Sequence, residues 1–117
     1  MNLKPGLINI LGKTYTVSYV ERPSDVDIHG YKSLWGQVDH WTHSIRIYAP
    51  AGFEIVEILD SILHECIHVV AVELKIEALT DNEEAVGLLG MALADLLTRN
   101  GWITLDEESA HGEDAGH

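Results

Sequence analysis

From Glu54 to Ile76 the chain carries neither glycine nor proline, and its apolar residues recur with a helical period. At about 100° per residue, Leu59, Ile62, Leu63, Cys66, Val70 and Leu74 share one broad side, while Glu57, Ser61, His64, His68 and Lys75 share another. A helix that is apolar over most of its circumference needs cover from several directions, so it belongs at the centre of a domain. The rest of the chain must wrap it.

What precedes this segment reads as strands. Residues 7–20 place β-branched and aromatic residues on either side of Gly12-Lys13, the pattern of a hairpin. Residues 21–33 hold Pro23, Asp25, Asp27 and Gly30 and read as a loop with room for a short helical turn. Residues 34–48 read as a second hairpin, returning through Ser44–Tyr48 with Ile45 and Ile47 on one face and Arg46 on the other. Pro50-Ala51-Gly52 then breaks the pattern. Past the central helix, Thr80-Asp81-Asn82 offers N-caps for a second helix over about 82–99, closed by Asn100-Gly101. The expected fold is α+β: a small N-terminal antiparallel sheet of two hairpins packed on a helix pair. Residues 1–105 form one domain on this reading, and 106–117 a flexible acidic tail with no large apolar side chain.

With 117 residues, 46% of them hydrophobic, there is material for one core and little more. The formal charge of −12, with only seven Lys and Arg scattered from Lys4 to Arg99, excludes nucleic acid as an expected partner. No run of apolar residues is long enough for a membrane span, and residues 1–12 show no secretory signal, so the expected setting is the cytoplasm. The single cysteine, Cys66, agrees with a reducing compartment.

The centre of the long helix reads His64-Glu65-Cys66-Ile67-His68. Residues four apart lie one turn above each other, so both imidazoles can reach one ion. Zinc takes neutral imidazole nitrogen readily and keeps an open position when a protein supplies only three ligands. Glu65, about 100° round the helix, can reach water at that position and act as general base without joining the ligand set. The second helix supplies two candidates for the third ligand, Glu83 and Glu84. If Val86, Leu89, Leu93, Leu96 and Leu97 define its inward face, Glu83 lies at the margin of that face and Glu84 nearly opposite. Glu83 is therefore the expected ligand, with His40 and His43 as the alternatives and Glu84 facing water.

His64-Glu65-x-x-His68 followed by Asn82-Glu83 resembles the gluzincin clan of zinc metallopeptidases, in which an Asn-Glu helix after the HExxH helix supplies a glutamate ligand. The compact order of strands and then two helices is similar to the minimal members called minigluzincins, and to short HExxH proteins of phage and prophage genomes. The likeness covers roughly residues 34–100. Glu83 follows His68 at a shorter interval than in the large thermolysin-like enzymes, and Val86 stands where those enzymes carry a small polar residue. The resemblance implies a zinc-dependent hydrolase of peptides or proteins, with Glu65 as catalytic base and His64, His68 and Glu83 on the metal. It also implies an edge strand, around Gly36–His40 or Ser44–Tyr48, that pairs with extended substrate. The alternative is a zinc-binding regulatory or interaction module of the same fold without hydrolysis.

Other residues carry secondary expectations. His40 and His43, and less strongly Tyr48, could stabilise an oxyanion. Cys66 projects to the apolar back of the helix as a core residue. Asp60, one turn before His64, could orient an imidazole, although an exposed helix acid is the plainer reading. The tail ends in acids with His111 and His117, so it could fold back over the site and inhibit it.

Overall fold

A computed structural model of the chain describes Leu3, residues 5–27 and residues 35–105. The proposed tail contact beyond Leu105, and the part of the first loop after Asp27, lie outside the described residues.

The first hairpin joins β1 (Gly6–Ile10) to β2 (Lys13–Val20). Its two-residue turn, Leu11-Gly12, has positive φ at both positions, 52° and 84°, which matches the right-handed twist of the strands. The Asn9 side chain accepts a hydrogen bond from the Gly12 N–H at 3.1 Å. After a short 3-10 turn at Pro23–Asp25, the second hairpin pairs β3 (Gly36–Asp39) with β4 (Ser44–Tyr48), the return strand that the alternation of Ile45, Arg46 and Ile47 marks.

Both hairpins form, but the sheet they build is mixed, not antiparallel. Its order is β1-β2-β4-β3, with β2 and β4 parallel. The chain crosses to the far edge to make β3 and returns to insert β4 at the centre. Strand composition gives the reason. Ile45 and Ile47 are fully buried, and a central strand shields both, whereas the Gly-Gln-Val-Asp of β3 suits an edge.

The long helix is α1 (Ile55–Glu73) and the second is α2 (Glu83–Arg99). The sheet face bearing Tyr15, Val17, Ile45 and Ile47 packs on Ile58, Leu59 and Val69 of α1, and none of these seven is more than 4% exposed. Each such burial is worth roughly 1.5–3 kcal/mol. On its other side α1 meets α2, so it is the middle of three layers, as an all-round apolar helix should be. Leu74 departs from expectation. It ends α1 and is exposed, because Lys75 turns left-handed (φ 56°) and the Ile76 N–H bonds back to the Ala71 carbonyl.

The inward face of α2 also requires correction. Val86 is buried as expected, together with Gly90 and Ala94, whereas Leu89, Leu93 and Leu96 are exposed and Leu97 is partly covered. The packed face runs through Val86 and the small residues 87, 90 and 94, and not through the leucines. A Cβ on Gly90 would stand 3.1 Å from Asp60 Oδ1 and 3.4 Å from the His64 backbone nitrogen, so α2 approaches α1 too closely there for large side chains. Asn82 caps α2 by accepting the Ala85 N–H at 3.1 Å, and Gly101 (φ 70°) follows its end. Among the described residues, no helix is long and apolar enough to cross a membrane.

Candidate metal centre

α1 places His64 and His68 one turn apart on the flank that faces α2, and the close approach of α2 brings the first residue of that helix over them. His64 Nε2 lies 2.9 Å from Glu83 Oε1, and His68 Nε2 lies 3.1 Å from Glu83 Oε2. The two Nε2 atoms are 3.2 Å apart. Glu83 lies on the same helical row as residues 87, 90 and 94, so its place at the contact follows from the small-residue face. The expectation of Glu83 over Glu84 was drawn from the leucine face, which is not the face that packs.

The chemistry of this trio fits a cation. Ligands about 2.0–2.1 Å from a tetrahedral zinc stand about 3.3 Å from one another, a few tenths of an ångström beyond the separations seen. Without an ion, the protons cannot be arranged well. If both Nε2–H groups donate to Glu83, two protonated nitrogens face each other at 3.2 Å. If both are bare, three sets of lone pairs converge, and if only one carries a proton, the bare nitrogen still faces a Glu83 oxygen at 2.9 or 3.1 Å. One ion among His64, His68 and Glu83, whose ligand atoms all lie within 4.8 Å of one another, satisfies every group. Neither His40 nor His43 belongs to this cluster.

Partial burial raises the pKa of Glu83, but the hydrogen bond with His64 and the nearby His68 outweigh it and hold the carboxyl below its usual range. Glu65 behaves oppositely. It is 5% exposed, and burial, reinforced by the negative charge of Glu83, pushes its pKa up to about 8 against the lowering effect of a hydrogen bond from the Val38 N–H. Asp60 is raised by burial and lowered by His64. It points at the α2 contact, beside Gly90.

These groups open on a cleft of about 950 Å³. Its floor is the polar flank of α1, one wall is β3 with Trp35, and the other is the N-terminal half of α2. Glu84 is exposed, as expected, yet it lines this cleft with Met91. His40 lines it as well, its pKa lowered by burial and by His68. His43 does not line the cleft. It stacks on Tyr15, ring centroids 4.6 Å apart. Tyr48 packs against Trp35 and Phe53, and Cys66 packs against the core with its thiol pushed up to about 11 by burial.

No family model, curated protein or solved structure matches the chain. The functional reading therefore rests on the site.

Sequence reasoning passed over Gly36. A Cβ there would lie 2.8 Å from Glu65 Oε2 and 3.2 Å from its Cγ. A glycine inside a strand pattern signals close approach of another group, and that was the available sign.

Proposed function

We propose that the chain is a zinc-dependent metallopeptidase of gluzincin type, acting on peptides or proteins, with His64, His68 and Glu83 holding the ion and Glu65 as general base. The observation that carries this reading is the convergence of two imidazole nitrogens and a carboxylate beside a buried glutamate that is not part of the trio. A structural zinc site is closed by four protein ligands, whereas the three ligands found among the described residues open on a cleft and leave a position for water or substrate. When bound, the ion lowers the pKa of water toward neutrality and polarises a carbonyl.

The chain's own residues supply the rest. The Glu65 carboxylate takes a proton from the attacking water and delivers it to the departing amine nitrogen, so the base of one step becomes the acid of the next. Burial raises the proton affinity of this carboxyl, and the positive charge of an ion held by the trio would lower it again, so that it could serve in both roles. Among the described residues β3 is an edge strand beside the cleft, and pairing with it would hold an extended peptide along α1. The alternative strand, Ser44–Tyr48, has both edges occupied by β2 and β3 and is not available. A cytoplasmic setting belongs to the same reading, with Cys66 kept as a buried thiol.

The test begins with metal analysis of protein purified without an affinity-column metal, where equimolar zinc is expected. Glu65→Gln should keep the zinc and lower peptide hydrolysis by about 100-fold or more. Hydrolysis that persists in this variant would overturn the mechanism. Zinc in a wild-type protein that cleaves no peptide would instead indicate a catalytically silent zinc-binding module.

A further inference from the structure

β3 is paired on one side only among the described residues, and its register tells which groups face outward. The Tyr48 N–H bonds to the Trp35 carbonyl at 2.8 Å, and Gly36 stands opposite Ile47. In an antiparallel pair the bonded positions alternate, so residues 35, 37 and 39 turn their backbone groups toward β4. Gly36 and Val38 turn theirs to the outer edge. The Ala49 N–H bonding to Val20 on the other side of β4 agrees with the same alternation.

One of these edge donors is already engaged within the protein, because the Val38 N–H faces the Glu65 carboxylate closely enough to lower its pKa. The same carboxylate passes directly beneath Gly36, in space that a methyl group would fill to within 2.8 Å of Oε2. Two backbone features of one strand thus bound the catalytic base, an N–H that holds it and a missing side chain that admits it.

We infer that the outer edge of β3 is the positioning element for Glu65, with Val38 N–H as its anchor and Gly36 as the positioning residue that makes room. This rests on the peptidase reading for its consequence in catalysis, but the anchoring itself does not. An extended peptide on this edge then has the Gly36 N–H and carbonyl and the Val38 carbonyl to pair with, while the Val38 N–H stays with Glu65. The peptide carbonyl facing Val38 is left unheld by the strand, next to the trio. Substrate register and the placement of the base are set by the same two residues.

Amide hydrogen exchange of the metal-free protein tests the anchor without any assay of activity. In wild type, Val38 should exchange at least tenfold more slowly than Gly36, although both lie on one open edge. In Glu65→Ala, Val38 should lose that protection while residues 37 and 39, which bond to β4, keep theirs. Gly36→Ala should release Val38 in the same way by displacing the carboxylate, again with the β3–β4 ladder intact. With zinc bound, it should lower kcat at least tenfold, with KM and zinc affinity within threefold of wild type. If Gly36→Ala fails to fold, the Glu65→Ala exchange decides alone. Val38 exchange that is indifferent to Glu65→Ala overturns the inference. So does a Gly36→Ala protein with wild-type kcat, and that result leaves the peptidase reading standing. Val38 protected as stated, in a zinc-loaded protein that hydrolyses no peptide, sinks the peptidase reading and leaves the anchor.

Discussion

The two helices are both rich in apolar residues, and they use them in opposite ways. α1 turns its large side chains to the sheet, where Ile58, Leu59 and Val69 are 0–1% exposed. α2 turns its small residues to α1 and leaves Leu89 42% and Leu96 43% exposed. The difference lies in what each helix packs against. α1 faces a layer of apolar side chains, so filling volume is what stabilises it. α2 faces the flank of α1 that carries Asp60, His64 and His68, and there nearness matters more than volume. The close approach at Gly90 brings Glu83 within 2.9 Å of His64. Placing the carboxylate thus leaves a leucine face half-exposed.

The strongest way to break this contrast is to truncate one leucine from each helix. Leu59→Ala is expected to cost about 2–5 kcal/mol of unfolding free energy, because a fully buried side chain leaves a cavity behind. Leu93→Ala should cost less, about 1–2 kcal/mol, since that residue is 37% exposed and leaves no closed cavity. Denaturant midpoints for the two variants give the comparison directly. Similar losses would mean that the α2 leucines are packed after all.

The same contrast explains what could be read in the sequence. The period of α1, the turn at Gly12, the strand Ser44–Tyr48 and the cap at Asn82 are local signals, and each forms as read. The strand order was not legible, because inserting β4 between β2 and β3 depends on which strand shields Ile45 and Ile47 best, a comparison across the whole sheet. Nor was the packed face of α2. Periodicity marks where leucines fall but not what a neighbouring helix presents to them. His64 and His68 could be paired from their spacing alone, whereas the convergence of Glu83 required knowing how near the two helices come.

A finer probe compares two glycines of the packed row. At Gly87 an added Cβ would touch only His64, at 3.8 and 3.9 Å, which is ordinary contact. Gly87→Ala should therefore stabilise the protein by about 0.5–1 kcal/mol through helix propensity, with zinc affinity unchanged. Gly90→Ala gains the same propensity, but it meets Asp60 Oδ1 at 3.1 Å and the His64 backbone at 3.4 Å, so part or all of the gain is lost. Thermal melts of the metal-free variants should rank Gly87→Ala above Gly90→Ala. The reverse order would mean that helix spacing is not set at Gly90.

The smallest effect belongs to the open face. Leu89→Lys should change stability by no more than about 0.5 kcal/mol, as is usual for surface positions. The lysine stem can lie where the leucine lay while its ammonium reaches water. Its i±3 and i±4 neighbours, Ala85, Val86, Ala92 and Leu93, carry no charge, so no helical ion pair is made or broken. Zinc affinity should not move either, because Leu89 lies on the flank of α2 away from the cleft-lining residues 84, 87, 88 and 91. A urea midpoint measured at two protein concentrations makes this small number informative. A loss near 2 kcal/mol at both concentrations would place Leu89 in a packed interface within the chain, and the assignment of the small-residue row as the inward face would fall with it.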